Sequence, residues 1–107
     1  MTKNISHEQL KSVEDFKIVA DVFKQIGDAS RVRIFWILCH YEKCVIDIAE
    51  MVDMSTPAVS HHLKQLKLGG LVTSRRDGKE VYYSASDTLQ VKLLHEMIEK
   101  VMQISCP

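Results

Sequence analysis

The stretch from Val45 to Ser84, VIDIAEMVDMSTPAVSHHLKQLKLGGLVTSRRDGKEVYYS, decides how the whole chain is read. Its opening predicts a short helix over about Val45–Val52, with Ile48, Ala49 and Val52 recurring on one inward face. Asp53-Met54 is a tight break. Ser55 then has the side chain of a helix N-cap, and Pro57 falls in the first turn, where a missing N–H costs nothing. The helix so started runs through Val59, Leu63 and Leu66 to Leu68 and stops at Gly69-Gly70. After the glycines the period shortens. Leu71–Arg75 and Glu80–Ser84 read as strands joined across Arg76-Asp77-Gly78-Lys79, and Asp-Gly between such runs signals a hairpin. A short helix, a turn, a capped second helix and a hairpin together make a winged helix-turn-helix.

Such a second helix can enter a DNA major groove only if its outer face is small and polar. Ser55, Thr56, Ser60, His61, Lys64 and Gln65 supply that face, opposite Val59, Leu63 and Leu66. Serine, histidine and glutamine can bond to base edges, and Lys64 can reach a base or a phosphate. On the hairpin, Arg75, Arg76 and Lys79 are expected at the tip, placed to neutralise phosphates or reach a minor groove. The chain as a whole is neutral, but residues 55–80 carry about +3 on a faintly acidic remainder. A localised basic segment is the footprint of a polyanion partner, here double-stranded DNA; a solvated basic face is the plainer alternative.

Outward from this segment, the first helical candidate covers His7 to Ile26. Phe16, Val19, Phe23 and Ile26 form an apolar stripe with Val22 beside it, and Gly27 ends it. Asp28 caps a second helix, Arg31 to Cys39, apolar on most faces and therefore central to the core. Tyr41-Glu42-Lys43-Cys44 reads as a short connection. A last helix spans about Asp87 to Gln103 and carries Val91, Leu94, Ile98 and Val101. The expected fold is mainly α with a small β-hairpin, α1-α2-α3-α4-β-β-α5, in a single domain over residues 1–107. The stripes on the first and last helices exceed what a core of this size needs, which points to a homodimer.

An apolar share of 46% and a charged share of 26% are ordinary for a folded protein. No apolar run approaches the ~20 residues of a membrane span. The first residues lack the apolar core of a secretory signal, so the expected location is cytoplasmic. The sequence holds no glycine-rich phosphate loop, no Cys-x-x-Cys and no catalytic constellation, so an enzyme is not expected.

Asp28-Ala29-Ser30-Arg31-Val32-Arg33-Ile34, Cys44-Val45-Ile46-Asp47-Ile48-Ala49, Ser60-His61-His62-Leu63-Lys64-Gln65-Leu66, Gly70-Leu71-Val72 and Arg76-Asp77-Gly78-Lys79 with Val81-Tyr82-Tyr83-Ser84 resemble the ArsR/SmtB family of metal- and thiol-sensing winged-helix repressors. The resemblance covers nearly the whole chain. It implies a homodimer joined by the first and last helices, the fourth helix in the major groove, Ser60 and His61 as contacts, and release from the operator when an effector binds.

It also implies where an effector would be sensed. A Cys-Val-Cys-Asp signature at the third helix is represented here by Cys44-Val45-Ile46-Asp47, with one of its two thiols. An Asp-x-His at the last helix is represented by Asp87-Thr88-Leu89-Gln90, without the histidine. Lys100 to Ile104 offer no further ligand, so that zinc site is expected to be absent. In the sulfide-responsive members a second-helix thiol links to a last-helix thiol; Cys39–Cys106 has a similar spacing, although Trp36 aligns with the second-helix position.

No cofactor is required. A soft metal or metalloid ion, or an oxidant or reactive sulfur species, is the expected inducer, acting on Cys39, Cys44 and Cys106. For Cys39, in a mostly apolar helix, a purely structural role is the competing reading. His40, His95 and Glu99 are candidate helpers, His95 and Glu99 lying four apart at a spacing that ordinarily marks a solvated pair. The expected function is an effector-released, sequence-specific transcriptional repressor. The alternative is a winged-helix protein-interaction module, or a small thiol metal carrier, that never engages DNA.

Overall fold

The computed structural model describes residues 12–105 of the chain. It contains α1 (Val13–Ile26), α2 (Ala29–His40), β1 (Lys43–Cys44), α3 (Val45–Val52), α4 (Thr56–Leu68), β2 (Val72–Asp77), β3 (Glu80–Ala85) and α5 (Leu89–Ser105). The order expected from sequence is therefore present, with one added strand. The three strands form an antiparallel sheet in the order β1-β3-β2.

All the helices but α3, which follows Cys44 without a side-chain cap, start where a short polar side chain takes an otherwise unpaired N–H. Ser12 and Asp15 form a reciprocal capping box, so α1 begins at Val13; the earlier part of the expected helix, up to residue 11, lies outside the described residues. Asp28 caps α2 through the backbone N–H of Arg31, which holds the Asp28 carboxyl below its ordinary pKa. The hydroxyl of Thr88 accepts from Val91 N, so α5 begins at Leu89, and it continues to Ser105, two residues past the expected end. The turn between α3 and α4 is held by Asp53 in the left-handed region, at φ 54°, a conformation that a short polar side chain tolerates.

The core is built on α2. Ile34, Phe35, Ile37 and Leu38 are buried and meet Ile48, Ala49 and Val52 of α3, and Val59, Leu63 and Leu66 of α4. Leu71, Val72, Val91 and Leu94 complete it. Removing an aliphatic side chain of this kind from water contributes about 1.5–3 kcal/mol each. By contrast α1 buries no residue; only Val22 and Ile26 lie against the core, while Phe16, Val19 and Phe23 are each more than half exposed. On α5 the stripe divides: Val91 and Leu94 are buried and Ile98 packs on the core, but Val101 faces outward with Leu93 and Met97.

Two local expectations are corrected. Lys43–Cys44 is a strand and not a plain connection, because it pairs with β3 as Lys43↔Tyr83 and Cys44↔Tyr82. The hairpin loop is only Gly78-Lys79. Asp77 pairs with Glu80, so Arg75, Arg76 and Asp77 belong to β2, and Gly78 supplies the positive φ of 65° at the first loop position.

Candidate nucleic-acid interface

The character of α4 follows from its two faces. Val59 (0% exposed), Leu63 (1%) and Leu66 (0%) fix one side to the core. That leaves Thr56, Ser60, His61 and Lys64 exposed on the other, with Gln65 half-buried at its margin. Ser55 sits just before them. Its hydroxyl accepts from Ala58 N at 3.3 Å, so its first task is to cap the helix.

Two contacts set the position of α4. His62 is turned away from the outer face, and its side chain is 13% exposed. Its Nδ1 accepts from Arg31 Nε at 3.3 Å, and its Nε2 lies 4.0 Å from Asp28 Oδ1. Burial lowers the His62 pKa, opposed by Asp28 and helped by Arg31 and His61. The neutral ring is the form that can accept from arginine. At the other end, Lys67 Nζ donates to Ser74 Oγ at 2.6 Å, tying α4 to β2.

Strand alternation separates the basic residues of the wing. Val72 is buried and Ser74 meets α4, so Arg76, two residues on, projects from the α4 side of the sheet. Arg75 projects from the other side. There its Nε and Nη2 donate to the two carboxylate oxygens of Glu42 at 2.8 and 2.6 Å, and its guanidinium lies 5.1 Å from the Tyr82 ring centre. This pair holds the Glu42 carboxyl below its ordinary range and raises Arg75 further. Lys79 occupies the loop itself. The structure thus brings Thr56, Ser60, His61, Lys64 and Arg76 to one side of the molecule, with Lys79 at the tip, and leaves Arg75 engaged elsewhere.

Two of the three expected sensory thiols, Cys39 and Cys44, lie among the described residues, and both are free. Cys39 is half-buried near the end of α2; burial, with the charge of Glu99, pushes its thiol up to about 11, so it stays protonated at neutral pH. Cys44 is buried before α3, and its thiol donates to Asp47 Oδ2 at 3.4 Å. Cys106 lies outside the described residues. A constellation that sequence spacing showed only in part is the convergence of His40 from α2 with His95 and Glu99 from α5.

A helix-turn-helix whose second helix presents a polar face beside a basic hairpin defines the class of winged-helix proteins. Comparison with known proteins narrows this. The model of bacterial regulatory proteins of the arsR family matches residues 28–74. The chain is 46% identical over 70 residues to a cadmium resistance transcriptional regulatory protein CadC homolog of Staphylococcus aureus, covering 64% of this chain and 58% of that protein. It is 34% identical over 95 residues to a transcriptional repressor SmtB homolog of Synechocystis, covering 89% of this chain and 72% of the relative. Among solved structures it is similar to the homodimeric winged helix-turn-helix DNA-binding domain Mb0332 of Mycobacterium bovis, with a TM-score of 0.78 and 27% identity over 100% of this chain and 94% of that one. The chain belongs to the ArsR family of bacterial regulatory proteins. The relatives it matches are transcriptional regulators, not enzymes. Among the described residues no helix is long and apolar enough to cross a membrane.

Proposed function

We propose that the chain is a cytoplasmic, sequence-specific transcriptional repressor, folded as one domain over residues 1–107 and acting as a homodimer on operator DNA. The observation that carries this reading is the two-faced α4. Its apolar side is fully used by the core, and its polar side is open to solvent beside Arg76. Thr56, Ser60, His61, Lys64 and Gln65 read base edges or adjacent phosphates, and Ser55 caps the helix while lying at the phosphate backbone. Arg76 and Lys79 hold the strand, and Arg75 sets the wing through Glu42.

The exposed apolar residues of α1 and α5 support the dimer, since a two-fold axis there would cover both faces and present two recognition helices together. The repressor is released by an effector sensed at Cys39, Cys44 and Cys106, either a soft metal or metalloid ion or an oxidising sulfur species. The cadmium-resistance relative supports a soft ion.

Selection from a pool of random duplexes tests the DNA reading. A repressor of this form enriches an inverted repeat with half-sites about one helical turn, ~10 base pairs, apart. Enrichment of no sequence would favour the alternative, an interaction module or thiol metal carrier.

A further inference from the structure

We infer that His40, His95 and Glu99 form a binding site for a first-row divalent cation of borderline softness, Zn(II) above all, that joins the end of α2 to the middle of α5 within one protomer. The site goes beyond the thiol reading, because none of its ligands is a cysteine.

The geometry carries the inference. His95 Nε2 lies 3.1 Å from His40 Nε2 and 3.5 Å from Glu99 Oε1, while His40 Nε2 lies 3.7 Å from Glu99 Oε2. Ligand atoms about 2.0–2.2 Å from a tetrahedral zinc stand about 3.3 Å from one another, and the separation of the two imidazole nitrogens and of each from one or other Glu99 oxygen is close to that, with one donor atom from each residue within 4.8 Å of the others. The two rings meet edge to face at 85°, with both Nε2 atoms turned inward on the carboxylate. Without a cation, one of those nitrogens must be a donor and the other an acceptor; a cation accepts a lone pair from both.

The surroundings have the features of a supported site. Trp36 Nε1 donates to Glu99 Oε2 at 3.2 Å, and the Trp36 ring lies 4.6 Å from that of His40, so carboxylate and imidazole are both oriented from outside. A cavity of about 360 Å³ bounded by His40, His95, Glu42 and Asp87 opens beside the cluster and gives a cation and its remaining water a route in. Two imidazoles and one carboxylate suit Zn(II), Co(II) and Ni(II), and are poor for the softer ions that thiolates select. Three protein ligands leave a position for water or a further group.

The site has a mechanical consequence, which rests on the repressor reading. The N-terminal end of α2 holds α4 through Asp28, Arg31 and His62, and its C-terminal end carries His40. A cation that pins α5 to His40 fixes the angle between the α5 faces that would meet in a dimer and the helix that would enter DNA.

The test uses the full metal-free chain, titrated with Co(II). One equivalent per protomer is expected to produce ligand-field absorption of four- or five-coordinate cobalt without a thiolate-to-cobalt charge-transfer band. Replacing all three cysteines by serine is expected to leave that spectrum unchanged. His95→Gln and Glu99→Gln, checked for native circular dichroism, are each expected to weaken binding by more than about tenfold. As an arm needing no variant, Zn(II) added to the unaltered chain is expected to shift the imidazole NMR signals of His40 and His95 and not those of His61 and His62. A charge-transfer band lost in the triple-serine variant, unchanged binding in His95→Gln, or movement of the wrong histidines would each overturn the site. These readouts use no DNA, so they stand or fall separately from the repressor reading.

Discussion

Arg75 lays its guanidinium on Glu42, Nη2 to Oε1 at 2.6 Å, from the face of β2 opposite the one that carries Ser74 and its bond to Lys67. Neighbouring arginines on one strand therefore have different work. Arg76→Ala is expected to weaken DNA binding across sequences and reduce the slope of log K against log salt by about 1. Arg75→Ala is expected to change the slope less, because its charge is already balanced by Glu42. Anisotropy titrations at several salt concentrations check this; equal losses in both variants would show that the wing approaches DNA from both faces.

His62 gives the fold a pH dependence of definite sign. Burial lowers its pKa below the ordinary 6.5, with Asp28 raising it, and Arg31 and His61 lowering it. The unfolded chain then takes up the proton first on acidification, so the His62 contribution is complete above about pH 6.5 and falls as the pH drops toward the folded value. Urea midpoints measured from about pH 8 to pH 5 should decline more steeply for the unaltered chain than for His62→Gln. Parallel declines would show that His62 is not the source of the pH dependence.

The two faces of α4 separate stability from recognition. Leu63→Ala empties a fully buried position and is expected to cost about 2–5 kcal/mol in a denaturant melt. Ser60→Ala, on the exposed face, is expected to shift the melt by less than about 0.5 kcal/mol while lowering specific DNA affinity. A Ser60→Ala variant that binds the selected duplex as before would exclude Ser60 as a contact.

Thiol sensing makes a separate prediction. Cys44→Ser and Cys106→Ser are each expected to leave DNA affinity intact and abolish release by a soft ion or persulfide, read as loss of the inducer-dependent anisotropy change. A triple-serine variant that remains fully inducible by those agents contradicts it.

For the dimer, Val101→Glu is expected to move the sedimenting species from dimer to monomer, since Val101 is 53% exposed on α5 and contributes little to the core of its own chain. An unchanged dimer would place the interface elsewhere.

Much of the architecture is legible in the sequence because its signals are local. Ser55, Pro57 and Gly69-Gly70 bracket α4, and the spacing of Val59, Leu63 and Leu66 declares its buried face before any contact is known. What is not legible depends on partners far along the chain. Lys43–Cys44 becomes a strand only against Tyr82 and Tyr83. Glu42 is 33 residues from Arg75, and His40 is 55 from His95, so neither pairing leaves a mark in local spacing. The hairpin is visible from Asp77-Gly78, yet the pairing of Asp77 with Glu80 confines the loop to Gly78-Lys79 and adds Arg76 to the strand that already held Arg75. The direction of an arginine on a strand is a matter of register, which a one-residue shift reverses.

The most direct measurement is the set of backbone amide shifts that change when the selected duplex is added to the isotope-labelled chain. Changes are expected to concentrate at Thr56, Ser60, His61 and Lys64 and at the Gly78-Lys79 loop. Changes confined to α1 and α5, with the α4 amides unmoved at saturating duplex, would contradict DNA recognition by α4.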